Sequence, residues 1–299
     1  MIDKDTYTLV DQASGELAFK LYRFESLRHF DHVQRLNYYS LIWIQEGRGK
    51  AQIETEQYNY EPNMLFATST YQPFMFQPSE KTKGVVIHFH PNFFCILKHH
   101  AEIACDGVLF NNIYEHPFLS INKEEEGTLN WIVKEMEDDI KRNSLATNEA
   151  IISYLKLFLI NCSRSKKRNY PTVNTTPIED DNFKVQGLKN YIEDHYKDLH
   201  SPKDYAELLH ISPNALTKLV KAKFNKTPSQ LISERIIIEA KRELYLSPKT
   251  VEEISLELGY EDQFYFSRFF KKHTGVSPSI YRKTVGENII AKEGAASKA

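Results

Sequence analysis

Asn214, Thr217, Lys218 and Lys221 follow one another at i, i+3, i+4 and i+7, the spacing that gathers side chains on one face of a helix. About fifty residues on, Gln263, Ser267, Arg268 and Lys271 make a second polar face of the same kind. Both sets are rich in hydrogen-bond donors and contain no carboxylate. An arginine fork pairs with the two acceptors on a guanine edge, Asn and Gln pair with adenine, and Lys reaches phosphates. Either face alone is as well explained by solvated helix surface. Two faces in matching surroundings point to side chains that read a groove.

Those surroundings are a near-duplication at an offset of 49 to 50 residues. Ala206, Leu209 and His210 recur as Ser255, Leu258 and Gly259; Leu216 to Lys221 recur as Phe266 to Lys271; Phe224 to Ser229 are answered by Thr274 to Ser279. Each copy reads as a short helix, a tight turn and a second helix, a helix-turn-helix written twice. Ser201-Pro202 and Ser212-Pro213 place a capping hydroxyl before a proline that loses no helical N–H bond. Thr250 to Glu253 spell a capping box. His210 and Gly259 fall where a left-handed residue is expected, and glycine meets that demand without strain. Between the copies, Pro228 to about Leu246 is a 19-residue helical stretch, or roughly 28 Å at 1.5 Å per residue. Successive major grooves on one side of a duplex lie roughly 34 Å apart. A rod of that length can hold two recognition helices near neighbouring grooves.

The chain has 299 residues, enough for about two domains, with 41% apolar and 26% charged residues. Its net charge of −2 argues against indiscriminate binding to nucleic acid. The distribution is uneven: residues 182–285 hold 17 Lys+Arg against 13 Asp+Glu, and residues 1–181 hold 19 against 25. No run approaches the roughly 18 apolar residues of a membrane span, and Met1-Ile2-Asp3-Lys4-Asp5 does not read as a secretory signal. Cys95, Cys105 and Cys162 show no CxxC spacing and suit a reducing cytosol.

From about Leu17 to Phe94 the chain has strand character. Tyr38 to Gln45 runs into Glu46-Gly47-Arg48-Gly49, which reads as a hairpin turn before an alternating strand from Ala51 to Glu54. Short runs follow at Met64–Thr68, Phe74–Phe76 and Val85–Phe89, suggesting a small β-barrel or sandwich. His88-Phe89-His90 puts two imidazoles on one face of a strand, with His29 and His32 upstream. The glycine-rich spacing and glutamate of a cupin metal motif are missing, since Pro91-Asn92-Phe93-Phe94 follows instead. Tyr39, Trp43, His88 and His90 either line a small-molecule pocket, or the aromatics are core and the histidines face solvent. Leu129, Ile132, Val133, Met136 and Ile140, then Ile151, Ile152, Leu155, Phe158 and Leu159, predict helices over 124–142 and 146–162. The pair either covers the barrel or forms a dimer seam. Ser163 to Asp181 reads as a linker, and the last residues read as a frayed tail.

From Phe183 to Thr284 the sequence resembles the AraC/XylS family of bacterial transcription regulators. The resemblance rests on Glu239-Ala240-Lys241-Arg242-Glu243-Leu244, Val251 through Tyr260, Asp262 through Lys271, Thr274-Gly275-Val276-Ser277-Pro278 and Tyr281-Arg282. Ser255 replaces the alanine common there, and His210 stands where small residues are frequent. The resemblance implies an α+β chain with a cupin-like sensor barrel over 1–120 and a helical dimerisation segment over 121–163. A linker would follow over 164–181, then an all-α DNA-binding domain over 182–285 and a flexible tail over 286–299. That all-α domain would hold seven helices, starting around Lys184–Tyr196, with two helix-turn-helix motifs. The resemblance further implies no catalysis, cofactor or metal. It implies double-stranded promoter DNA, RNA polymerase, a small-molecule effector and a second copy of the chain as partners, in the cytoplasm and away from membranes. Base contacts carry over to Asn214, Thr217, Lys218, Gln263, Ser267 and Arg268, and phosphate contacts to Lys221, Lys271 and Lys272.

Overall fold

The structure is a computed structural model that describes residues 6–12, 14–99, 107–143, 145–169 and 180–285. The chain divides into two compact units, Met1–Asn112 with His116–Thr172, and Ile113–Glu115 with Val173–Ala299. It is mixed α and β, with all the strands in the first unit and seven of the helices in the second, among the described residues.

In the first unit, β1 (Thr6–Val10), β2 (Leu17–Phe24), β3 (Tyr39–Glu46), β6 (Met64–Thr68), β8 (Lys83–Phe89) and β9 (Phe118–Ser120) form an antiparallel sheet in the order β1-β2-β8-β3-β6-β9. A second sheet has the order β5-β4-β7, from β4 (Gly49–Ile53), β5 (Glu56–Tyr60) and β7 (Phe74–Pro78). Between the sheets lies an aromatic core that includes Phe24, Ile42, Phe66 and Val86 from the larger and Ile53, Tyr60, Phe74 and Phe76 from the smaller. The described strands therefore make a two-sheet sandwich, not a closed barrel. The hairpin expected at Gly47 is also not one. β3 pairs with β6 and β8, β4 with β5 and β7, so the chain leaves one sheet and enters the other at this turn. Gly47 has φ 97°, and a Cβ there would lie 2.6 Å from the Lys81 carbonyl oxygen, which makes the crossing glycine-dependent. The hairpin follows one strand later, at Glu54 (φ 57°) between β4 and β5.

The outer face of the larger sheet is covered by α1 (Lys123–Arg142) and α2 (Thr147–Asn169). Asn122 opens α1 with a capping box: it accepts from the Glu125 N–H, and Glu125 accepts from the Asn122 N–H, each at 2.9 Å. Leu129, Ile132, Val133 and Met136 of α1 and Ile151, Leu155, Phe158 and Leu159 of α2 pack on Leu21, Leu41, Trp43 and Ile87. Of the two readings of this helix pair, covering the sheet is thus accounted for. Trp131 remains 53% exposed and Leu157 39%, so the pair also keeps an apolar outer surface.

α2 continues past the expected end at 162, through the basic run expected to begin the linker. The basic residues near its end suit the negative pole of the helix, and several find partners too distant in sequence to foresee. Lys166 is buried and donates from Nζ to the His116 carbonyl at 2.8 Å, the Ser165 hydroxyl donates to the Ser120 carbonyl, and Arg168 pairs with Glu125. The rest of the expected linker up to residue 179, Cys105 and the tail over 286–299 lie outside the described residues.

The second unit contains α3 (Asp180–His195), α4 (Pro202–Leu208), α5 (Pro213–Phe224), α6 (Pro228–Leu246), α7 (Val251–Glu257), α8 (Gln263–Thr274) and α9 (Pro278–Val285). α6 buries Leu231, Ile232, Ile236, Ile237, Ala240 and Leu244, which gives it apolar surface on several sides. α4, α5, α7 and α9 all pack against it.

Candidate nucleic-acid interface

α4-turn-α5 and α7-turn-α8 are built by the same local bonds. In the first, the Ile211 N–H donates to the Ala206 carbonyl and the His210 N–H to the Glu207 carbonyl, each at 3.0 Å. In the second, the Tyr260 N–H donates to the Ser255 carbonyl at 2.9 Å and the Gly259 N–H to the Leu256 carbonyl at 3.0 Å. This six-to-one and five-to-two pairing satisfies the orphan carbonyls of a helix end through a left-handed residue, here His210 (φ 54°) and Gly259 (φ 76°). Ala206 and Ser255 are fully enclosed, and the Ser255 hydroxyl donates to the Glu252 carbonyl at 2.8 Å, so the serine substitutes for alanine without stranding a polar atom. Ser212 caps α5, accepting from the Ala215 N–H, and Asp262 caps α8, accepting from the Phe264 N–H at 2.7 Å. Both helices have 12 residues.

One face of each helix is core: Leu216, Leu219, Val220 and Phe224 in α5, Phe266 and Phe270 in α8. On the open face, Asn214, Thr217, Lys218 and Lys221 are exposed, as are Arg268, Lys271 and Lys272, with Gln263 and Ser267 half-buried. The Thr217 hydroxyl donates to the Pro213 carbonyl at 2.9 Å, which leaves its oxygen available as an acceptor. No other side chain in this set makes a hydrogen bond or ion pair among the described residues.

The cations of α6 behave in the opposite way. Arg235 reaches Glu193 at 2.7 Å and Glu239 at 3.1 Å and lies over the Tyr196 ring at 3.9 Å. Arg242 holds the other oxygen of Glu239 at 2.8 Å, and just beyond the helix Lys249 bridges Glu243 and Glu257. Burial pushes the Glu239 carboxyl up, yet Arg235 and Arg242 together keep it below the usual range. The domain thus neutralises Arg235, Arg242 and Lys249 on its scaffold and leaves Lys218, Lys221, Arg268, Lys271 and Lys272 without partners among the described residues.

Equal helix lengths fix the register between the copies. Thr217 corresponds to Ser267, Lys218 to Arg268 and Lys221 to Lys271, and the counterpart of Asn214 is Phe264. Phe264 falls outside the polar pattern that marks the other candidates, although the offset of 50 across α5 and α8 pairs it with Asn214 in the sequence.

In the first unit the four candidate pocket residues do not converge. Tyr39 and Trp43 point to the helix-covered face, where Tyr39 stacks on Phe89 at 5.3 Å. His88 and His90 lie on the sandwich side, 7% and 4% exposed, with Tyr38 against both. Alternation along β3 causes the split: Tyr39, Leu41 and Trp43 share one side, Ser40, Ile42 and Ile44 the other. The histidines therefore face neither solvent nor the candidate aromatics. Burial, with Lys20 adding to it, depresses His88 to about 3, so its ring is neutral and Nδ1 pairs with Ser40 Oγ at 2.8 Å. Ser40 is also opposite Thr68, whose buried Oγ1 has no hydrogen-bond partner among the described residues, so His88, Ser40 and Thr68 form a polar row across three strands. Ser40 and Thr68 were not foreseen, because only the sheet order makes them neighbours. His29 and His32 are exposed, and His32 pairs with Asp31 and Gln34. No third His, Cys or carboxylate ligand atom gathers with His88 and His90 among the described residues.

Residues 205–284 match the family described as a helix-turn-helix domain. Over 123 residues the chain is 31% identical to the raffinose operon transcriptional regulatory protein RafR of Pediococcus pentosaceus, covering 39% of this chain and 44% of that one. Over 100 residues it is 32% identical to the arabinose operon regulatory protein of Salmonella typhimurium, covering 33% and 36%. Among solved structures, the C-terminal domain of AraT, a response regulator from Geobacillus stearothermophilus, is 31% identical. It covers 34% of this chain and 86% of its own, with a TM-score of 0.33. The chain thus matches less than half the length of these curated relatives.

Proposed function

We propose that the chain is an AraC-type, sequence-specific regulator of transcription that grips promoter DNA with both helix-turn-helix units, a reading supported by its helix-turn-helix domain match and its likeness to operon regulatory proteins. The observation that carries this reading is the contrast in charge partners: Arg235, Arg242 and Lys249 are paired, whereas Lys218, Lys221, Arg268, Lys271 and Lys272 have no partner among the described residues. Unpaired cations beside donor-rich side chains suit phosphates flanking base edges. In this reading Asn214, Thr217, Lys218, Gln263, Ser267 and Arg268 touch bases, and Lys221, Lys271 and Lys272 touch phosphates. The 19-residue α6, roughly 28 Å long, spaces α5 and α8 for consecutive major grooves.

The first unit fills the role of the cupin-like sensor, as a sandwich with the polar row of His88, Ser40 and Thr68 in its interior. The unsatisfied Thr68 hydroxyl supports a small polar effector there. Trp131 and Leu157 supply apolar surface for a second copy of the chain, so α1 and α2 both cover the sheet and pair protomers. RNA polymerase completes the partners, the chain works in the cytoplasm, and it performs no catalysis.

The deciding experiment is selection of bound sequences from a random duplex pool with the full chain, repeated with Arg268→Ala. A selected site of two half-sites about one helical turn apart, with base choice relaxed at one position by the variant, is expected. A wild-type pool that yields no consensus at low salt would overturn the proposal.

A further inference from the structure

Phe264 stands in the first turn of α8 with 68% of its surface exposed and no ring contact to the protein among the described residues. It shares a helix face with Arg268 and Lys271 at i+4 and i+7, a phenyl at the N-terminal end of a row of cations. Tyr265, the other exposed aromatic of this turn, lies against Tyr260 at 6.0 Å and so already has a packing role. The backbone holding Phe264 is fixed, since its N–H donates to the Asp262 carboxylate at 2.7 Å. In the first unit of the pair the same position carries Asn214.

We infer that Phe264 is a specificity-determining residue that reads the C5-methyl group of a thymine in the half-site of the second unit. The inference rests on the DNA-binding reading proposed above and deepens it. A phenyl ring offers no donor or acceptor to a base edge. In the major groove the thymine methyl is the apolar group a side chain can meet, and phenylalanine is among the residues that meet it. The position is therefore read in two chemistries, by an amide at Asn214 suited to adenine and by an apolar disc at Phe264 suited to thymine. One duplex bound by one chain would carry unlike half-sites even though the two backbones match.

The test uses the full chain and its selected duplex, with thymines of the second half-site replaced singly by deoxyuridine, which removes only the methyl group. At one position the replacement is expected to weaken binding about fourfold, the value of one buried methyl-sized group. Phe264→Ala is expected to bind thymine and deoxyuridine probes equally, and Phe264→Asn to shift the selected base there towards adenine. Wild-type protein that binds specifically but is indifferent to every such replacement would overturn this inference and leave the proposed function standing. A Phe264→Ala protein that kept the methyl sensitivity would also overturn it. Failure to select any sequence would instead defeat the DNA-binding reading, and this inference with it.

Discussion

The two helix-turn-helix units share a backbone and differ in what they hang on it. Their turns close with the same pair of hydrogen bonds, and their second helices have equal length. The turn residue is His210 in one and Gly259 in the other. Exposed His210 pays only the strain of a left-handed conformation. At Gly259 a Cβ would come within 2.0 Å of the Lys197 carbonyl oxygen. Glycine is thus a preference in the first turn and a requirement in the second, because only the second is pressed against the segment before α4. The recognition faces diverge likewise: amide, hydroxyl and lysines in α5; phenyl, hydroxyl, arginine and lysines in α8. Local hydrogen bonds conserve the shape, while the outward side chains are free to specialise.

The largest test of this contrast is Gly259→Ala. Left-handed strain plus a backbone collision should cost about 2–5 kcal/mol, read as a lower midpoint in thermal or urea unfolding of the second unit. Stability equal to wild type would mean that the second turn is as open as the first. Next comes the Arg268–Lys218 pair. Arg268→Ala should lose about 1–3 kcal/mol at one base position and relax choice there, as a bidentate contact predicts. Lys218→Ala should lose less in the same selection, because a single ammonium cannot make the paired contact. Equal losses would erase the chemical difference between the helices. Lys271→Ala should weaken all sequences alike and reduce the salt dependence by about one phosphate equivalent, measured as binding against salt concentration. The smallest effect belongs to His210→Gly, within about 1 kcal/mol of wild type and on the stabilising side, since relief of strain slightly exceeds the added backbone entropy.

The helix-turn-helix region was legible because its determinants are local. Ser212, Thr250 and the prolines mark helix starts a few residues from the bonds they make. Most strands with runs of aromatic and β-branched residues were legible too, although β1 (Thr-Tyr-Thr-Leu-Val) lies before the expected start of the strands at Leu17. β5 (Glu-Gln-Tyr-Asn-Tyr) and three-residue β9 were not, since they lack such runs and are held in place by their neighbours. Sheet membership is a long-range property, which is why the turn at Gly47 looked like a hairpin and proved a crossing. The basic end of α2 looked like linker because its partners, the His116 and Ser120 carbonyls and Glu125, lie some 40 to 50 residues away. In the candidate interface the polar residues were visible at helical spacing. Phe264 was hidden by its chemistry and not by its place, since the offset of 50 already pairs it with Asn214 but a search for polar side chains passes over a phenyl.

The larger sheet is enclosed on both sides, and β3 alternates between them, sending Ser40 into the sandwich and Tyr39 and Trp43 beneath the helices. A close-packed strand of this kind has no slack to absorb a local push. A guest that displaced Ser40 would push on the backbone of β3, whose flanking Tyr39 and Leu41 belong to the core shared with α1 and α2. The sheet is therefore a stiff plate, with its polar interior and its outer helices on opposite ends of one lever.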